Sequence, residues 1–197
     1  MSYMSQKTGS LEVALQAKGW LTEDERKFLF SSAQQGGKGC NIVNIGVEYG
    51  ASVVCFAEGA HQDCMIYAFD IDLSNWTLGN KYVNVAFGEG DSHQIVMDFL
   101  GSSRVSAWID LLFIDGDHSY DGVKKDLPWL LLVKPGGMAI FHDCYEWPPA
   151  PPRTIRPVSP EVNRAVGEWE LNDRLAGAMN KWKELDPVDS MRVFRRL

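Results

Sequence analysis

The chain has 197 residues, enough for one substantial core, and its 45% hydrophobic and 23% charged content is ordinary for a globular protein. A net charge of −7 argues against a general binder of nucleic acid or of anionic membrane. No basic segment leads into an apolar stretch at the start, and no apolar run nears the ~20 residues that span a bilayer.

Cys40, Cys55, Cys64 and Cys144 form no C-x-x-C pair, which reads as free thiols in a reduced, cytoplasmic protein. Residues 1–10 read as polar and loosely held. A short helix is expected from Leu11 to Lys18, ended by Gly19. Thr22-Glu-Asp-Glu25 has the spacing of a capping box, which predicts a helix from Thr22 to about Gln35, stopped by Gly36-Gly37. Asn41–Ile45 reads as a first strand, followed by a helix from Ser52 to Gly59. Met65–Phe69 is a second strand and Tyr82–Ala86 a third. A helix follows over Ser92–Leu100, then a fourth strand over Ile109–Ile114. Tyr120–Val133 reads as a helix that Pro128 kinks or delays. Lys134-Pro-Gly-Gly137 is a turn into a fifth strand, Met138–Phe141. Prolines between Trp147 and Pro157 forbid regular structure there; the segment is a wall or lid on a site, or a plain connection. A helix from Ser159-Pro160 to about Leu185 and a last strand over Ser190–Arg195 complete the chain.

Strands alternating with helices predict a parallel sheet with helices on both faces, all strand C-termini lying on one edge. Chemistry-bearing residues cluster at those ends. The fourth strand stops in Asp115-Gly-Asp-His118 and the fifth in His142-Asp143, where open α/β sheets bind ligands. Gly46-Val-Glu-Tyr-Gly50 turns out of the first strand and lets backbone approach a ligand. Asp70 ends the second strand and suits a ribose; Asp91-Ser92 follow the third and suit a base. Their order suggests an adenosine-containing cofactor.

With Asn44-Ile-Gly-Val-Glu-Tyr-Gly-Ala-Ser52, Phe69-Asp70, Gly90-Asp-Ser92, Phe113-Ile-Asp-Gly-Asp-His-Ser-Tyr120 and Lys134-Pro-Gly-Gly137, the chain resembles class I S-adenosylmethionine (SAM)-dependent methyltransferases. It is most similar to the small bacterial group related to catechol and caffeoyl-CoA O-methyltransferases. The likeness covers roughly residues 38–145. It implies a Rossmann-like three-layer α/β sandwich with a seven-stranded, mostly parallel sheet and an antiparallel last strand. It also implies one domain over residues 1–197: a helical cap (1–35), a cofactor and metal core (38–145), and a closing segment of proline-rich loop, helix and strand (146–197).

The resemblance places Gly46, Glu48, Gly50 and Ser52 around the methionine part of SAM, Asp70 on the ribose, and Asp91 and Ser92 beside the adenine. Position 44, commonly acidic in the family, is Asn44, whose amide accepts from the SAM ammonium without charge assistance. Asp115, His142 and Asp143 match the metal positions. Imidazole at 142 shifts preference from Mg²⁺ toward Mn²⁺, Fe²⁺ or Zn²⁺; a metal-free site is the alternative. Asp115 thus serves cofactor, metal and chemistry, and His118, where relatives often carry lysine, is a general base or a structural cap. Tyr120 and Trp147 either line the acceptor pocket or simply pack. The implied reaction is methyl transfer to a hydroxyl of a small molecule, with a homodimer as a compatible assembly. The rivals are transfer to nitrogen or a sugar hydroxyl, and a SAM-fold binder without catalysis.

Overall fold

The computed structural model describes residues 9–77, 79, 81–101, 108–145, 159–175 and 181–197. In chain order its elements are α1 (Leu11–Gln16), α2 (Glu23–Gln35), β1 (Asn41–Ile45), α3 (Ala51–Gly59), β2 (Met65–Asp70), β3 (Val85–Glu89) and α4 (Ser92–Gly101). Then come β4 (Ile109–Ile114), α5 (Tyr120–Asp126), β5 (Val133–Phe141), α6 (Pro160–Leu175), β6 (Trp182–Glu184) and β7 (Arg192–Arg196). The seven strands form one sheet in the order β3-β2-β1-β4-β5-β7-β6. β1 to β5 run parallel, and β7 is antiparallel to both its neighbours, β5 and β6.

Strand alternation explains the three layers. Val43, Ile45, Leu112 and Ile114 point to one face, where they join Val96 of α4, Val123 of α5 and Val162 and Val166 of α6. Ile42, Leu111, Phe113 and Ile140 point to the other, against Ala14 of α1, Leu29 of α2 and Phe56 of α3. Strands covered on both faces need near-continuous apolar runs, which is why β1 and β4 were legible.

Elsewhere the elements shift. β3 starts at Val85, paired with Ile66, not at Tyr82. The Tyr82 hydroxyl instead donates to Glu58 on α3 at 2.8 Å. α5 stops at Asp126, and a 3-10 turn over Leu127–Leu132 carries Pro128 in its first turn, where the missing amide costs nothing. β5 already begins at Val133. Residues 134–137 bulge out of it, for the pairing steps from Ile109–Val133 to Leu111–Met138. α6 ends at Leu175, not near Leu185. The expected long helix hides β6, three residues too short to show a period, with the Trp182 ring edge-on to Trp169 at 5.6 Å. The N-terminal residues 1–8 and the proline-rich segment around Trp147 lie outside the described residues.

Candidate active site

A cavity of about 620 Å³ opens at the C-terminal edge of β1, β2 and β4. One end is built from turns. Gly46 (φ +84°) brings the β1 turn so close to β4 that a Cβ would stand 2.0 Å from the Asp115 carbonyl oxygen. Asp70 accepts the Val47 and Glu48 amides on Oδ2 (2.6 and 3.0 Å) and the Asp72 amide on Oδ1 (3.1 Å), so it clamps the turn while lining the cavity. Glu48, at φ +46°, accepts the indole N–H of Trp20 at 3.0 Å across the cavity wall. Asp91 accepts the His93 amide at 2.8 Å and so caps α4. Ser92 donates to Asp126, and burial pushes the Asp126 carboxyl up to about 6. Ser52 also lines the cavity, whereas Gly50 and Asn44 do not. Asn44 is fully buried; its Nδ2 donates to the Gly46 carbonyl at 2.8 Å, and its Oδ1 has no partner among the described residues.

The other end is built from charges. His142 is buried at the end of β5, its ring tilted against that of Phe113 with centres 6.0 Å apart. Its Nδ1 lies 3.0 Å from Asp115 Oδ1 and 3.4 Å from Asp143 Oδ1. His118, half-exposed at the cavity, stands 3.1 Å from Asp115 Oδ1 through Nε2 and 3.5 Å from Asp143 Oδ2 through Nδ1. Asp143 sits at φ +56°, a conformation few non-glycine residues adopt and one that recurs at functional sites. Burial opposes charge on Asp115, but the two imidazoles outweigh it and hold its carboxyl well below the usual range. The hydrogen bond to Asp115 raises His118. Burial works against a charged His142, yet the surrounding carboxylates carry its pKa well above the ordinary value.

The donor set fits a divalent cation. One ligand atom each from Asp115, His142 and Asp143 lie within 4.8 Å of one another. The Nδ1-to-carboxylate spacings of 3.0 and 3.4 Å are near those of adjacent ligands on an ion with bonds of about 2.1 Å. The raised imidazole pKa values express the same excess of negative charge that would draw in a cation.

Two residues were missing from the sequence reading. Glu25 was read only as a helix cap, yet it faces His142 Nε2 at 3.3 Å from 117 positions away. Trp20, 53% exposed, stands at the cavity mouth, although a tryptophan's default is burial. Nothing in the local sequence marks either one. Tyr120 packs away from the cavity, under the guanidinium of Arg164, which lies 4.1 Å from its ring centre. Cys144 is a packed thiol, pushed up to about 12 by burial. Asp117 accepts the Ser119 amide at 2.8 Å and shapes the turn.

A family model for the methyltransferase domain matches residues 43–144, just over half of the chain. The chain belongs to this methyltransferase family. It is 31% identical over 113 residues to caffeoyl-CoA O-methyltransferase 2 of Zea mays, a match covering 53% of this chain and 42% of that protein. The chain spans less than half the length of the curated relatives it matches. An O-methyltransferase of Bacillus cereus, solved in complex with SAH (S-adenosylhomocysteine), shares the fold at TM-score 0.63 and 17% identity, over 93% of this chain and 88% of that one. MycE methyltransferase of the mycinamycin biosynthetic pathway, solved with Mg, SAH and mycinamycin VI, does so at TM-score 0.63 and 13% identity, over 97% and 54%. Among the described residues, no helix is long and apolar enough to cross a membrane.

Proposed function

We propose that this protein is a SAM-dependent O-methyltransferase that acts on a small-molecule hydroxyl with the help of a divalent cation. The observation that carries the reading is the juxtaposition in one cavity. Ribose- and base-suited carboxylates stand at one end, and at the other stand the base His118 and Asp115, with the buried His142 and Asp143 of the cation-ligand set directly behind them. The Zea mays relative and the solved O-methyltransferase with SAH support it, and the Mg in the MycE complex supports the cation. The cavity volume lies in the range of cofactor pockets.

In this reading Asp70 holds the ribose hydroxyls, Asp91 and Ser92 border the adenine, and Gly46, Glu48 and Ser52 surround the methionine part, with Gly50 shaping the turn from outside the cavity. Asn44 lies behind the cavity wall, and its Oδ1, without a partner among the described residues, accepts from the ammonium where the glycine turn yields to the cofactor. Asp115, His142 and Asp143 hold the cation. When bound, SAM supplies the electrophilic methyl group, and the cation makes the acceptor hydroxyl easier to deprotonate. His118 takes the hydroxyl proton on a ring nitrogen, and Asp115 stabilises the imidazolium that forms. Trp20 and the turn carrying Glu48 close one wall and help exclude water. The chain works as a single domain, with the helical segment before residue 36 as its cap. Buried free cysteines suit the cytoplasm, and the acidic net charge suits a small-molecule partner over nucleic acid. A homodimer is the assembly to look for by sedimentation.

The test is methyl transfer from labelled SAM to a panel of catechols, sugars and amines. Labelled product on a hydroxyl is expected. Transfer to amines alone would change the acceptor class, and SAM binding without transfer to any of them would make the protein a binder.

A further inference from the structure

His142 presents its two ring nitrogens to opposite surroundings. Nδ1 faces Asp115, which lines the cavity, and the buried Asp143, at 3.0 and 3.4 Å. Nε2 faces Glu25 Oε2 at 3.3 Å, and both side chains are only 1% exposed. A nitrogen that binds a cation must offer its lone pair, so the ring proton must reside on the other nitrogen. Glu25 is an acceptor aimed at that other nitrogen.

Glu25 is itself held without freedom to turn. Its Oε2 accepts the Thr22 amide at 2.9 Å. Its Oε1 accepts the Ser190 amide at 3.2 Å and the Ser190 hydroxyl at 2.6 Å. The carboxylate therefore joins the start of α2, the end of β5 and the approach to β7 around one imidazole. A helix cap requires only the bond to Thr22; the contacts to His142 and Ser190 go beyond it.

We propose that Glu25 is a positioning residue that keeps the His142 proton on Nε2 and so leaves Nδ1 free for the divalent cation shared with Asp115 and Asp143. The proposal rests on the metal-assisted reading above. Glu25→Gln is the sharp substitution because it keeps shape but turns one carboxylate oxygen into an NH₂ donor, so no orientation of the amide satisfies His142, Thr22 and Ser190 together. Turned toward His142, the new amide NH₂ meets the Thr22 N–H and drives the ring proton to Nδ1. Turned the other way, it meets the Ser190 N–H.

Two measurements test this. Calorimetric titration with Mn²⁺ should show wild-type binding, and Glu25→Gln, confirmed folded by circular dichroism, should bind roughly 10–100-fold more weakly, the usual effect of losing a partner behind a ligand. ¹⁵N-histidine NMR of zinc-loaded wild type should show His142 protonated at Nε2 and metal-bound at Nδ1, a signature that a merely structural Glu25 would not set. A folded variant with unchanged Mn²⁺ affinity would overturn the role of Glu25 alone. If the variant does not fold, the wild-type spectrum decides, and a proton on Nδ1 overturns the proposal. Absence of any Mn²⁺ binding by wild type would overturn the metal-assisted reading and this proposal with it.

Discussion

At the cofactor end of the cavity, polar groups come from strand-end turns, and the two strand-end carboxylates are answered by backbone amides. Asp70 takes three of them and Asp91 takes those of His93 and Gln94. At the chemical end, Glu25, Asp115 and Asp143 surround His142, Asp115 and Asp143 also face His118, and the carboxylates are answered chiefly by imidazoles, with main-chain amides reaching only Glu25 among the contacts described. The first arrangement is held mainly by fixed hydrogen bonds to the turns. The second is a set of mutually perturbing titratable groups, the kind that accumulates where protons and cations are handled. The two ends should respond differently to substitution, to pH and to cations.

The largest separation is expected from His118→Gln. If His118 takes the acceptor proton, kcat should fall about 10²–10⁴-fold, the usual size of a general-base contribution, while SAM affinity stays nearly constant. In wild type, kcat should rise with pH and then level off, because only neutral imidazole accepts a proton. The Asp115 hydrogen bond moves the rising limb above the ordinary histidine value of about 6.5. Stopped-flow or steady-state rates across pH check both points. A variant with wild-type rate and profile would return His118 to a structural role.

Asp70→Ala probes the opposite end. It should weaken SAM by about 1–3 kcal/mol, since two ribose hydroxyls lose a charged acceptor. It also frees the Val47 and Glu48 amides, so some of the loss reflects a looser turn. Calorimetry should find the SAM loss without any change in Mn²⁺ affinity. Equal loss of both ligands would mean that the two ends are one cooperative unit.

A smaller effect, confined to the chemical end, is expected from pH on cation binding. In the cation-free protein, His142 binds its proton more tightly than in the unfolded chain. That contribution to stability is full below about pH 6.5 and disappears as pH rises through the raised folded pKa. Asp115 works the other way: its contribution is present above about pH 3.8 and is lost as pH falls through its lowered pKa. A cation at His142 Nδ1 competes with a proton. Mn²⁺ affinity should therefore fall by up to about tenfold per pH unit on acidification for each proton displaced. Calorimetry in buffers of different ionisation enthalpy counts those protons, and a count of zero would argue against His142 as a ligand.

The same contrast explains what the sequence disclosed. Gly46, Asp70 and Asp91 were legible because each ends a strand, and strand ends are marked by a change from apolar run to turn residues. Asp115 and His118 were legible together because three positions separate them at one such end. Glu25 was not, since its role requires α2, β5 and β7 to converge, and 117 and 165 positions separate it from His142 and Ser190. Of the fold, the buried strands β1 and β4 were placed by their hydrophobic runs, while β6 was lost because its three residues take their strand form from pairing with β7. Trp20 carried no local signal either: a tryptophan's default is burial, whereas the Glu48 hydrogen bond holds this one at a mouth.

The smallest expected effect tests the cofactor end at its least finished point. Asn44 donates to the Gly46 carbonyl through Nδ2 and leaves Oδ1 without a partner among the described residues. A buried, unpaired amide oxygen carries a desolvation cost that a donor from a ligand would recover. If the SAM ammonium is that donor, Asn44→Ala should cost SAM affinity about 1 kcal/mol, toward the low end because the acceptor is neutral. Asn44→Asp should do no better. A carboxylate there gains charge assistance for the ammonium, but it loses the Nδ2 donor and sets a negative oxygen 2.8 Å from the Gly46 carbonyl. Amide at this position is thus tied to the conformation of the glycine turn, not merely to the ligand. Calorimetry with SAM on both variants, beside their thermal melting, separates the two contributions. Tighter SAM binding by the Asp variant at unchanged stability would show that the turn does not need the amide.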